Sequence, residues 1–89
     1  MTQDTIAEIK ARMAALDPQH LEVIDESMLH AGHAGAKGGG GHYRLTVVSA
    51  VFAGRSQVER HRLVYQALGE LMQGRIHALA ITALAVDEL

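Results

Sequence analysis

The sequence predicts an α+β fold, a three-stranded mixed sheet with helices packed on it, in the order helix, strand, strand, short helix, helix, strand. Three observations predict it. Two tetrapeptides with capping-box chemistry, Thr5-Ile6-Ala7-Glu8 and Ser56-Gln57-Val58-Glu59, each open a segment of helical periodicity. Three other segments are short apolar or alternating runs. A glycine-rich stretch, Ser27 to Gly41, separates the first two of those runs.

The first helix carries Ile6, Ile9, Met13 and Leu16 as one apolar stripe. Asp17-Pro18 stops it, because the residue before a proline avoids the helical region. A strand follows from Leu21 to Glu26, with Leu21 and Val23 alternating with Glu22. The stretch after it holds Gly38-Gly39-Gly40-Gly41 and no apolar period, so it reads as a loop. The second strand, His42 to Ser49, sets Tyr43, Leu45 and Val47 on one face. Ala50 to Arg55 is a short turn carrying Phe52 and Gly54. The second helix turns Val64, Leu68, Leu71 and Met72 inward and Arg62, Gln66 and Gln73 outward, with Gly74 as its expected C-terminal cap. The last strand, Ile76 to Leu84, reads as apolar on both faces and is expected to be covered by helices.

Composition narrows the function. The chain has 89 residues, 48% of them hydrophobic, which suits one domain, 1–89, with one core. Its aromatic residues are Tyr43, Phe52 and Tyr65, so the core is aliphatic. A net charge of −2 gives no global attraction to a phosphate backbone. The absence of cysteine excludes disulfides, thiolate catalysis and cysteine metal ligands from this chain, and favours a reducing, cytoplasmic setting. The N-terminus lacks the pattern of a signal peptide, and no run has the length of a membrane span. No triad spacing or carboxylate pair suggests catalysis, so a binding module rather than an enzyme is expected.

Six histidines stand out, at 20, 30, 33, 42, 61 and 77. An antiparallel hairpin followed by a helical crossover to a parallel strand brings the starts of the second and third strands to the edge where the first strand ends. His30, His33, His42 and His77 therefore converge there. His20 belongs at the opposite end as a surface residue. His61 reads as a hydrogen-bonded structural histidine at the margin of the helix stripe. For His33 and His42 a solvated loop position competes with a ligand role. His30 and His77 form the favoured pair, since a strand start fixes one and the loop delivers the other.

Two histidines do not complete a metal site, because structural zinc takes four protein ligands and catalytic zinc three. They suffice when another protein supplies the rest, and an iron–sulfur cluster accepts two imidazoles in place of two thiolates. Gly35-Ala36-Lys37-Gly38 lacks the lysine-hydroxyl ending of a phosphate loop and reads as linker. Arg55, Arg60 and Arg62 form a small basic cluster that can touch phosphates, against the commoner role of a solvated helix face.

Several of these segments together resemble the BolA-like family. Leu21-Glu22-Val23-Ile24-Asp25-Glu26-Ser27 is similar to its first-strand motif and His42-Tyr43-Arg44-Leu45 to its second-strand start. Arg60-His61-Arg62-Leu63-Val64-Tyr65 resembles its helix signature, extended by Val58 and Ala67-Leu68. Ile76-His77-Ala78-Leu79-Ala80-Ile81 resembles its last strand. The resemblance implies a type II KH-like fold (α-β-β-α-α-β). It implies a partner, a monothiol glutaredoxin of the CGFS type, with which a bridging [2Fe–2S] cluster is shared through the glutaredoxin cysteine and a glutathione thiol. On this chain it implies His77 as the ligand before the last strand and His30 as the ligand from the hairpin loop, with His33 as a possible substitute. Iron–sulfur trafficking or iron sensing would be the role. The alternative is a nucleic-acid-binding transcriptional regulator of stress response and cell morphology, with weak DNA binding through Arg55, Arg60 and Arg62. Ala53-Gly54-Arg55-Ser56 lacks the GxxG clamp of true KH domains, which counts against that alternative.

Overall fold

The structure is a computed structural model, and it describes residues 5–27 and 41–89. Its elements are α1 (Thr5–Met13), β1 (His20–Asp25), β2 (Gly41–Val48), α2 (Gln57–Leu68) and β3 (Ile76–Leu84), joined in part by single 3₁₀ turns. The short helix expected before α2 is one such turn, Ala50–Phe52, and it buries the Phe52 ring completely. The expected order and the mixed sheet are both present.

β2 is central. It pairs antiparallel with β1 and parallel with β3. Tyr43, Leu45 and Val47 stand opposite Leu79, Ile81 and Ala83 of β3, and these residues share the inner face. The helices close that face with Ile9 and Met13 of α1 and Val64 and Leu68 of α2, all fully buried. Aliphatic side chains at helical spacing meeting alternate strand residues account for this core.

The outer face of β3 departs from expectation. Ala78, Ala80 and Thr82 are exposed, so helices cover the strand on one side only. Alanine counts as apolar in a pattern but presents a single methyl, so an alternating strand reads as a continuous apolar run.

Two local details also differ. Thr5 lies within the helix, and with Glu8 it accepts hydrogen bonds from Arg75 (3.1 and 2.6 Å), so this polar pair ties α1 to the start of β3. α2 stops at Leu68 and not at Gly74. Gly69 caps it with φ of 55°, donating to the Tyr65 carbonyl, and the chain continues as a 3₁₀ turn through Gln73. The stop at Asp17-Pro18 forms as expected, with Asp17 in the left-handed region at φ 50°. Among the described residues no helix is long and apolar enough to cross a membrane.

Candidate functional site

The sheet order sets the end of β1 beside the starts of β2 and β3. Backbone bonds fix this edge: the Glu26 amide donates to the His42 carbonyl (2.8 Å), and the Gly41 amide donates to the Arg75 carbonyl (3.1 Å). Side chains add to it. The Ser27 hydroxyl accepts from the His42 amide (3.0 Å), and Asp25 accepts from the Ser27 amide (2.8 Å).

The pairing of β2 with β3 is irregular here. Gly41 faces Ile76 and the next residue, His42, faces Ala78, so His77 is an extra residue on β3. A bulge of this kind turns the extra side chain away from its normal pleat direction. Here it leaves the His77 imidazole exposed and beside that of His42, with ring centroids 5.2 Å apart and planes tilted by 47°. Gly41 stands next to them, and a side chain there would force a shift. A Cβ on it would lie 2.6 Å from the Tyr43 ring, which packs across the glycine.

An open concavity of about 270 Å³, lined by Glu26, His42, Tyr43, Ala78, Leu79 and Ala80, adjoins the pair. Its carboxylate is committed: Arg44 Nε donates to Glu26 at 2.9 Å, and this bond holds the Arg44 guanidinium above its ordinary pKa. Among the described residues no group of three or more histidines and carboxylates is arranged to hold a metal. The edge therefore offers two imidazoles as donors, each a borderline ligand suited to iron, zinc or copper.

Of the expected site residues, His77 lies at this edge. His30 and His33 fall outside the described residues. His42, which sequence reasoning placed behind His30, is the imidazole found next to His77. The pairing register that decides this carries no sequence signal other than the adjacent starts of two strands. His20 is exposed at the far end of the sheet, opposite Val48. His61 is half-buried on α2 beside Val58, Arg62 and Tyr65, which line a second open concavity. No hydrogen bond to its imidazole forms among the described residues.

The basic cluster is corrected as well. Arg60 is 4% exposed. It donates to both Glu88 oxygens (2.6 and 2.9 Å), to the Ala83 carbonyl (3.1 Å) and to the Arg55 carbonyl (2.9 Å). Four of its five N–H donors are used inside the fold, so it is withdrawn from any phosphate-binding surface. Arg55 and Arg62 remain at the surface. Sequence reasoning missed the Arg60–Glu88 pair, since its members lie 28 residues apart with no local period linking them.

Comparison with known proteins agrees with the fold and motifs. The family model described as BolA-like protein matches residues 13–88. BolA-like protein 1 of Mus musculus is 47% identical over 78 residues, covering 86% of this chain and 55% of the mouse protein. The DNA-binding transcriptional regulator BolA of Vibrio cholerae is 41% identical over 88 residues, covering 99% of this chain and 78% of that one. The solved BolA domain of SufE1 from Arabidopsis thaliana superposes with a TM-score of 0.84 at 38% identity, covering the whole of both chains. The chain spans about half the length of several curated relatives that it matches. Motifs, topology and these matches converge: the chain belongs to the BolA-like family.

Proposed function

We propose that this chain is a non-enzymatic adaptor that pairs with a CGFS-type monothiol glutaredoxin. In that pair it supplies histidine ligands to a shared [2Fe–2S] cluster, for iron–sulfur trafficking or iron sensing. The observation that carries the reading is the His77 edge: an exposed imidazole, a second imidazole 5.2 Å away, and no third donor group among the described residues. Such an edge suits a site completed by another protein, and a cysteine-free chain must take its thiolates from elsewhere. The donor chemistry fits the cluster, since two imidazoles can take the places of two thiolates, and the sulfides and remaining thiolates would come from outside this chain. His77 would be held by its strand, and His30 would come from the hairpin connection, with His33 as its substitute. When bound, the cluster would supply one-electron redox chemistry or be passed on as cargo. The chain's own part is to present imidazoles.

The test is reconstitution. The full chain, a CGFS-type glutaredoxin, glutathione, iron and sulfide are mixed anaerobically, and visible absorption and native mass are recorded. A coloured one-to-one heterodimer carrying two irons is expected. A cluster found only on glutaredoxin homodimers, with this chain left monomeric, contradicts the proposal.

A second reading, DNA binding, is favoured by the name of the Vibrio cholerae relative and its match over 88 residues. The burial of Arg60 weakens it, leaving Arg55 and Arg62 of the three arginines. Two phosphate contacts give a log-affinity versus log-salt slope of only about −2 and weak binding at physiological salt. Sequence-selective binding that survives such salt in a mobility-shift titration would place the DNA reading first.

A further inference from the structure

We infer that His42 and His77 form a preorganised bis-imidazole site for a single borderline divalent cation such as Zn²⁺. The inference names a ligand, His42, for the edge proposed above. It does not depend on the glutaredoxin partnership, because a lone ion on the isolated chain can test it.

An extra residue in β3 interrupts the ladder where β2 begins, and His77 is that residue. The distortion brings its imidazole beside that of His42, on the neighbouring strand, with centroids 5.2 Å apart. Chelation imposes a definite spacing. With metal–nitrogen bonds of about 2.0–2.1 Å, and each ring centroid about 1.2 Å behind its nitrogen, each centroid sits about 3.2 Å from the metal. Two such rings at the tetrahedral angle have centroids about 5.2 Å apart. The observed separation meets that requirement without moving either strand. The planes are tilted by 47°, and rotation about χ2 changes where the nitrogens point while the centroid hardly moves.

Both backbones are fixed beforehand. The His42 amide and carbonyl are bonded to Ser27 and Glu26, and the residue two before His77 is anchored to α1 through Arg75. Little backbone conformational entropy then remains to be lost on binding. The neighbouring charges do not oppose a cation, because Arg44 is paired with Glu26 at 2.9 Å. Two imidazoles leave two tetrahedral positions for water or for another protein's ligands, which suits a site completed by a partner.

The test uses the isolated full chain and Zn²⁺. Long-range ¹H–¹⁵N correlation spectra of the imidazoles identify which rings coordinate, and calorimetry gives the affinity. The His42 and His77 nitrogens should shift together up to one equivalent, while those of His20 and His61 stay fixed. His42→Gln and His77→Gln should each weaken binding by about tenfold or more, with backbone spectra showing both variants folded. If His42→Gln perturbs the fold, His42→Asn with the same readout replaces it. Coordination by His77 with His30 or His33 while the His42 nitrogens stay unshifted overturns the inference, as does an affinity no tighter than that of the His42→Gln, His77→Gln double variant. Zinc bound by the pair with no cluster formed in the glutaredoxin mixture sustains this inference and sinks the partnership. A cluster that forms there, with zinc ignoring His42, does the reverse.

Discussion

At the scale of single residues, Arg60 and Glu88 are the plainest case of a charged pair serving the fold. The hydrogen bonds from Arg60, aided by the Ala85 amide, hold the Glu88 carboxyl down to about 2, below the usual 4.5. A carboxyl more acidic in the folded state stabilises the protein fully above its unfolded value and loses that contribution on protonation. The loss therefore falls between about pH 4.5 and pH 2. Glu88→Gln should lower the melting temperature at pH 6 and flatten its decline through that window, so that variant and parent converge near pH 2. Melting curves against pH check this, and parallel declines would dissociate the pair from acid stability. Gly41 gives a second prediction. Its Cβ would strike the Tyr43 ring at 2.6 Å, so Gly41→Ala should cost about 1–3 kcal/mol in urea unfolding. It should also shift the His42 and His77 imidazole resonances, because the ring that must move belongs to the residue next to His42. Neither fact was legible in the sequence. Arg60 resembles its surface neighbours Arg55 and Arg62 in type and spacing, and only the tertiary position of Glu88 separates it from them.

At the scale of elements, local chemistry was readable where it is local in space. Ser56 and Glu59 satisfy each other's backbone amides at 3.2 and 2.9 Å, as their spacing requires. Ser56→Ala should cost about 1 kcal/mol, seen as a lower urea midpoint at unchanged slope. An unchanged midpoint would mean that the cap contributes nothing net. The same chemistry misled at Thr5 and Glu8, because Arg75, distant in sequence, captures both. The choice between Gly69 and Gly74 as the stop of α2 was equally illegible. Leu68, Leu71 and Met72 keep an inward period through the change from α to 3₁₀ geometry, so periodicity does not mark it. β3 taught the converse lesson: Ala78 and Ala80 satisfy an apolar pattern while lying open to solvent.

At the scale of the whole molecule, topology rather than any single motif makes the candidate site. An antiparallel hairpin and one parallel crossover suffice to bring the starts of β2 and β3 together, so the convergence of His42 and His77 was legible from element order. The bulge that makes them neighbours was not, since a one-residue slip between parallel strands leaves no mark on either. The relation between this edge and a partner is decided by anaerobic reconstitution of the chain with a CGFS-type glutaredoxin, glutathione, iron and sulfide, comparing the parent with His77→Ala by native mass and visible circular dichroism. A cluster-bearing heterodimer is expected with the parent, and its loss or marked spectral change with His77→Ala, at unchanged melting temperature of the isolated variant. A heterodimer of the same mass and spectrum with His77→Ala would contradict it.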